Sequence, residues 1–202
     1  CICLEFLNNS EPICLFGTAD LARFDAALEF RFKPDQTWDT ADPEDKAAVQ
    51  RLWQWIYSCK GNPTKFQAEY QGYFLNEAPF VWYIFTDYFM ALDNLAKNMM
   101  LVTWDGVHWM FIPYDMDTLF GLRNDSYLKY DYTITHDTFD DSIGSYAFAG
   151  HDSILWELVR ACPDKLREVA ETIRSNMSLD YVLQVFNEQE MGNWCERIYN
   201  KD

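Results

Sequence analysis

The sequence predicts an α+β domain with short strands early, a central hairpin and a helical C-terminal half. Three observations point to it. Residues 1–6 and 28–32 read as strands. An Asp105-Gly106 turn separates two apolar runs. Helix start signals recur after Ser153. The chain has 202 residues, 49% of them hydrophobic, which is enough to bury a sizeable core in one domain. Within that single domain, residues 1–78 carry the N-terminal strands and a helix. Residues 79–202 form a helical lobe with an Asp-x-Asp motif.

The elements follow from local chemistry. Residues 1–6 are apolar and strand-like, and Asn8-Asn9-Ser10-Glu11-Pro12 reads as a turn. Residues 13–16 suit a second short strand. Leu28-Glu29-Phe30-Arg31-Phe32 alternates apolar with charged, the pattern of a half-buried strand, and Lys33-Pro34-Asp35 ends it. Asp42-Pro43-Glu44-Asp45 is a helix start: Asp42 can cap, Pro43 suits the first turn, and the acids favour the positive end of the dipole. Val49, Leu52, Trp53 and Ile56 mark its apolar face, and Lys60-Gly61-Asn62-Pro63 stops it. Residues 64–74 suit a short helix with Phe66, Tyr70 and Phe74 on one stripe. Residues 78–103 carry apolar side chains at intervals of three or four, which predicts one long buried helix. A turn at 104–107 and a strand at 108–113 follow. Residues 124–150 are polar and read as a long surface loop. Helices are expected over 153–162, 164–176 and 178–189, with Pro163 closing the first and Ser178 capping the last.

Composition excludes some functions. A net charge of −16 with no basic run argues against direct nucleic-acid binding and against an anionic membrane surface. It also requires a divalent metal if a polyphosphate is to bind. No signal peptide or membrane span is visible, and the start at Cys1 suggests a fragment of a longer chain. The six cysteines include no Cys-x-x-Cys and read as reduced thiols of a protein made in a cytosol. The Trp, Tyr and Phe wealth reads mainly as core and interface.

The chemistry concentrates at Asp93 to Asp117. Asp115 and Asp117 lie on one face of an extended segment, and two hard oxygen donors suit Mg²⁺ or Ca²⁺. In the structural alternative, one of them is a ligand and Asp117 caps a turn with Thr118. Asp93, Lys97 and Asn98 lie just upstream. An Asp, an Asn five residues on, and a later Asp at a strand end is the base-and-metal order of protein kinases. On one regular helix Asp93 and Asn98 would sit about 140° apart and could not address one ligand. The catalytic reading therefore requires the helix to end or distort near Asp93. The alternative is an Asp93–Lys97 pair at helical spacing, worth about 0.2–0.5 kcal/mol. His136 and His151 read as surface residues, and Asp137-Thr138-Phe139-Asp140-Asp141 as a solvated loop without the Gly and Glu of an EF-hand.

Asp93-x-x-x-Lys97-Asn98 followed by Trp109-x-Phe111-Ile112-Pro113-Tyr114-Asp115-x-Asp117-Thr118-x-Phe120-Gly121 resembles the spore-coat CotH kinase family. The resemblance implies an atypical protein-kinase-like fold. It makes Asp93 the catalytic base, Asn98 and Asp115 the Mg²⁺ ligands, and Asp117 a neighbouring carboxylate. Lys33 and Lys97 would serve a nucleotide, Lys33 standing in for the nucleotide-binding Lys after its strand. The chain departs from kinases in lacking a Gly-rich phosphate loop and an assignable Glu partner.

Leu4-Glu5-Phe6-x-Asn8-Asn9, Glu29-Phe30-Arg31-Phe32-x-Pro34, Asp115-Met116-Asp117-Thr118, Ser153-x-Leu155-Trp156 and Tyr199-Asn200-x-Asp202 together resemble tail-associated structural proteins of tailed bacteriophages. These include the muzzle-type proteins of crAss-like phages, which contain a degenerate CotH-like region. That resemblance implies a virion protein made in the bacterial host cytoplasm, with other virion proteins as partners and a homo-oligomeric ring or tail assembly. Three functions are therefore expected in order: a structural part of a phage tail or muzzle on a degenerate CotH-kinase-like domain; an active ATP- and Mg²⁺-dependent Ser/Thr protein kinase; and a metal-stabilised interaction module.

Overall fold

The computed structural model describes residues 1–6, 16, 28–30, 37–89, 91, 94, 98–116, 119 and 153–188. Its chain forms two compact units, Cys1–Leu166 and Arg167–Asp202. The first holds a four-stranded antiparallel sheet in the order β2-β1-β3-β4, built from β1 (Ile2–Phe6), β2 (Leu28–Phe30), β3 (Met99–Thr103) and β4 (Met110–Pro113). The architecture is α+β.

Period-two alternation decides which face of the sheet is buried. Leu4 pairs with Leu101, which pairs with Phe111, and all three are buried. Ile2, Phe6, Met99 and Thr103 are buried with them, and every second residue from Ile2 to Phe6 and from Met99 to Thr103 belongs to that set. Phe111 is the hub. Its ring lies 5.9 Å from Phe74, 5.6 Å from Trp82 and 5.3 Å from Trp156, so it ties β4 to two of the helices described next.

Helix α1 (Pro43–Ser58) starts at Asp42-Pro43 and buries Val49, Leu52, Trp53 and Ile56, the face predicted by spacing. The Asp42 side chain makes no capping bond; Pro at the first position and the acids Glu44 and Asp45 carry the start instead. Trp53 stacks on Phe6 of β1 at 6.2 Å, joining helix to sheet. Helix α2 (Pro63–Glu69) is capped by Asn62, which accepts from the Lys65 amide at 3.0 Å, and runs into a 3₁₀ turn at Tyr70–Gly72. Phe66, Tyr70 and Phe74 are all buried, as the stripe predicted.

One expectation fails clearly. Residues 78–103 do not form a single helix. Helix α3 spans Ala78–Tyr88, and Met99–Thr103 is strand β3. Past Tyr88 the chain turns: the Ala91 amide donates to the Thr86 carbonyl at 2.8 Å and the Asn94 amide to the Ala91 carbonyl at 3.1 Å. The helical spacing continued into Met99-Met100-Leu101-Val102-Thr103, but there both β1 and β4 offer ladder partners. Tertiary pairing overrode the local period. The strand expected at 13–16 also fails at its described end, because Phe16 sits in a turn with φ 55°.

Helix α4 (Ile154–Arg160) starts at Ser153, whose hydroxyl accepts from the Trp156 amide at 3.4 Å. Helix α5 (Pro163–Asn176) begins at Pro163, which opens this helix instead of closing the previous one. In the second unit, helix α6 (Leu179–Glu188) is capped by Ser178, which accepts from the Tyr181 amide at 3.1 Å. No helix among the described residues is long and apolar enough to cross a membrane. Residues 124–150 lie outside the described residues.

Candidate functional site

The β3–β4 hairpin has two ends, and the predicted site residues that are described sit at the open one. Asn98 immediately precedes β3, and Tyr114 and Asp115 follow β4. The Tyr114 amide donates to the Asn98 carbonyl at 3.3 Å, one step beyond the Met99–Pro113 pair. Asn98 and the Tyr114-Asp115 segment are therefore cross-strand neighbours, although 17 positions separate Asn98 from Asp115 in sequence. Both adopt left-handed backbone, with φ 54° at Asn98 and 49° at Asp115. Asn and Asp tolerate that region better than other side chains, and left-handed residues without glycine concentrate at functional sites. Asp115 is exposed and Asn98 half-buried, so the carboxylate is open to a ligand from solvent.

Asn94 lies behind this end and is fully buried. Its side-chain amide donates to the Asn98 carbonyl at 2.6 Å, to the Tyr114 carbonyl at 3.2 Å and to the Met116 sulfur at 3.2 Å. Its own carbonyl accepts from Trp82 Nε1 at 2.9 Å. The chain of support is continuous. Trp82 stacks on Phe111 of β4 and holds the Asn94 backbone, and the Asn94 side chain holds both segments leaving the hairpin. Asn94 Oδ1 is buried with no hydrogen-bond partner among the described residues. An unpaired buried acceptor costs about 1–3 kcal/mol and calls for a reason.

Of the predicted residues, the structure places Asn98 opposite Tyr114, the residue before Asp115. Lys33, Asp93, Lys97 and Asp117 lie outside the described residues, as do His136, His151 and the 137–141 segment. Because α3 ends at Tyr88 and Asn94 lies in a turn, no single helix runs through to Asn98. Sequence reasoning missed Asn94. Its signal was an amide directly after the candidate base Asp93, in a stretch otherwise rich in apolar residues.

The closed end of the hairpin is built differently. Asp105 Oδ1 accepts from Thr103 Oγ1 at 3.0 Å and from the Val107 and His108 amides at 2.8 Å each, and Oδ2 meets His108 Nδ1 at 2.7 Å. The His108 side chain, then the His108 and Val107 amides, hold the Asp105 carboxyl well below the usual carboxylate range. Gly106 supplies the φ of 71° that the turn needs.

Elsewhere, a shallow groove of about 510 Å³ runs along α1 and α2 and includes none of the predicted site residues. Its Arg51 stacks on Tyr73 at 4.6 Å and donates to the Gly72 carbonyl at 2.8 Å, and its Lys65 donates to Ser58 at 2.8 Å. Cys59 and Cys162 are free thiols pushed upward by burial, which makes them poor nucleophiles.

A model of the CotH kinase protein family matches residues 14–177. The chain belongs to that family. No curated protein and no solved structure matches it. The match runs from before β2 to the end of α5 and includes both ends of the hairpin. Among the described residues of this CotH-family chain, no three or more His, Cys, Asp or Glu come together as a metal cage. Mg²⁺ does not need one. It keeps several waters and takes one or two carboxylates plus substrate phosphates. Asn98 and Asp115 offer an amide oxygen and a carboxylate on segments that meet at the open end of the hairpin, a donor set of that chemistry.

Proposed function

We propose that the open end of the β3–β4 hairpin is a CotH-type phosphotransfer centre, in which Asn98 and Asp115 hold Mg²⁺ with ATP. The observation that carries this reading is the pairing of Asn98 with the Tyr114-Asp115 segment, both left-handed and both tied to Asn94. It supports the order of base, Asn and Asp that the sequence shares with protein kinases. On this reading the chain adopts an atypical protein-kinase-like fold. Bound Mg²⁺ would neutralise charge developing on the transferred phosphoryl group. Asp93, five residues before Asn98, would accept the proton of a Ser or Thr hydroxyl. Asp117 would add a carboxylate beside Asp115, and Lys33 and Lys97 would meet the phosphates.

A second reading keeps the same domain and drops catalysis: a structural part of a phage tail or muzzle, assembled with other virion proteins and with copies of itself. Two features support it, the quoted tail-protein motifs and the exposed large side chains Tyr88 (76%), Trp104 (71%) and Leu179 (71%). A metal-stabilised interaction module, with Ca²⁺ or Mg²⁺ and no nucleotide, is the third.

Thermal-shift titration with Mg²⁺, with Ca²⁺ and with ATP plus Mg²⁺, beside Asp115→Ala, separates them. A rise in Tm that needs ATP and is lost in Asp115→Ala supports phosphotransfer and leads to an assay with labelled ATP. A rise with the ion alone supports the module. No rise in a folded sample overturns the centre and favours the virion role.

A further inference from the structure

We propose that Asn94 is the positioning residue of this centre: its buried side-chain amide sets the backbone of Asn98 and of Tyr114–Met116 so that Asn98 and Asp115 face one cation together. The proposal rests on the reading of Asn98 and Asp115 as metal donors. It adds a residue that the base-and-metal order does not contain.

The argument is geometric. Asn98 and Asp115 come from segments joined covalently only through the whole hairpin. The ladder bond between them, from the Tyr114 amide to the Asn98 carbonyl, is long at 3.3 Å. Asn94 supplies the shorter link, 2.6 Å to the same carbonyl, and reaches the Tyr114 carbonyl as well. One planar amide thus spans both segments and fixes their separation. Only an amide serves here. A carboxylate at position 94 would set negative oxygen against two carbonyl oxygens, and a hydroxyl has a single proton to donate. Asn94 Oδ1 has no partner among the described residues, which fits a residue placed for its donors. Residues that orient metal ligands in this way typically change affinity about 10–100-fold when removed.

The test is Mn²⁺ binding by calorimetry to the wild type, Asp115→Asn, Asn94→Asp, Asn94→Ala and the Asn94→Asp/Asp115→Asn double variant, with Tm measured for each. We expect Asn94→Asp and Asn94→Ala to weaken Mn²⁺ binding about 10–100-fold in protein that is still folded. The double variant should bind no worse than Asp115→Asn alone, because Asn94 acts through the same ligands. A merely structural Asn94 would lower Tm and leave Mn²⁺ affinity within about twofold of wild type, and that result overturns the proposal. If the wild type fails to bind Mn²⁺, or binds it equally well as Asp115→Asn, the metal reading falls. The clamp is then judged by hydrogen exchange at the Tyr114 amide. Exchange about tenfold faster in Asn94→Ala upholds the positioning role, and unchanged exchange overturns it. If neither Asn94 variant folds, the wild type decides by NMR. Mg²⁺ should shift the Asn94 side-chain amide and the Tyr114 backbone amide together, and signals that stay put overturn the proposal.

Discussion

The two ends of the β3–β4 hairpin solve the same problem in opposite ways. At each, a short polar side chain ties down backbone that the strands leave unpaired. At the closed end Asp105 does this locally, reaching residues 103, 107 and 108 while exposed to water. At the open end Asn94 does it from outside the hairpin, fully buried, reaching Asn98 and also Tyr114, 20 positions away. The local turn closes itself and carries little chemistry. The open end depends on residues distant in sequence, holds two left-handed residues, Asn98 and Asp115, and leaves one buried acceptor unpaired among the described residues. Left-handed residues other than glycine also occur at Phe16 and Asn76, so what separates the two ends is the sequence range of their ties and not strain alone.

The largest expected effect calibrates both ends against their shared core. Leu101→Ala, between Leu4 and Phe111 in the buried face, should lower unfolding free energy by about 2–5 kcal/mol in urea titration. Asn94→Ala should cost about 2 kcal/mol, since it strips a donor from the Tyr114 carbonyl but also deletes an unpaired acceptor. A cost below that of Asp105→Ala would erase the contrast between the ends. Asp105→Ala should cost about 1 kcal/mol, because water can replace its partners at an exposed turn. Asp115→Gly should move the other way. Relief of the left-handed backbone should raise stability by up to about 1 kcal/mol while Mn²⁺ binding is lost, and a lower Tm would remove the argument from strain.

The smallest effect is a dependence on pH. The Asp105 carboxyl is lowered on folding, so its contribution is complete above the ordinary carboxylate range, near pH 3.9, and is lost as pH falls through the lowered value. Acid titration of the wild type against Asp105→Asn, followed by circular dichroism, should show a shallower loss in the variant below pH about 4. Equal acid sensitivity would mean that the turn contributes nothing to it.

Legibility followed the same division. The Asp105-Gly106 turn, the apolar face of α1, the Phe66/Tyr70/Phe74 stripe and the Ser178 cap were all readable, because each rests on contacts within a few residues. The run from Ala78 to Thr103 misled. Its spacing is helical throughout, yet β1, far away in sequence, and β4 claim its last five residues as a strand. The order of Asp93, Asn98 and Asp115 pointed to a centre, but the residue that joins its two halves did not stand out, since its partners are backbone atoms that no motif records.

By itself, then, the sequence determined the α+β class, the starts of the helices, the hairpin turn and the residue types a metal centre would need. Tertiary structure alone decided where α3 stops, which strands flank β3, and that Asn98 and Tyr114 meet across a ladder with Asn94 behind them. The physical reason is range. Propensity, capping and periodicity act over one or two helical turns, whereas strand pairing and a buried amide draw their energy from partners that only the folded chain brings near.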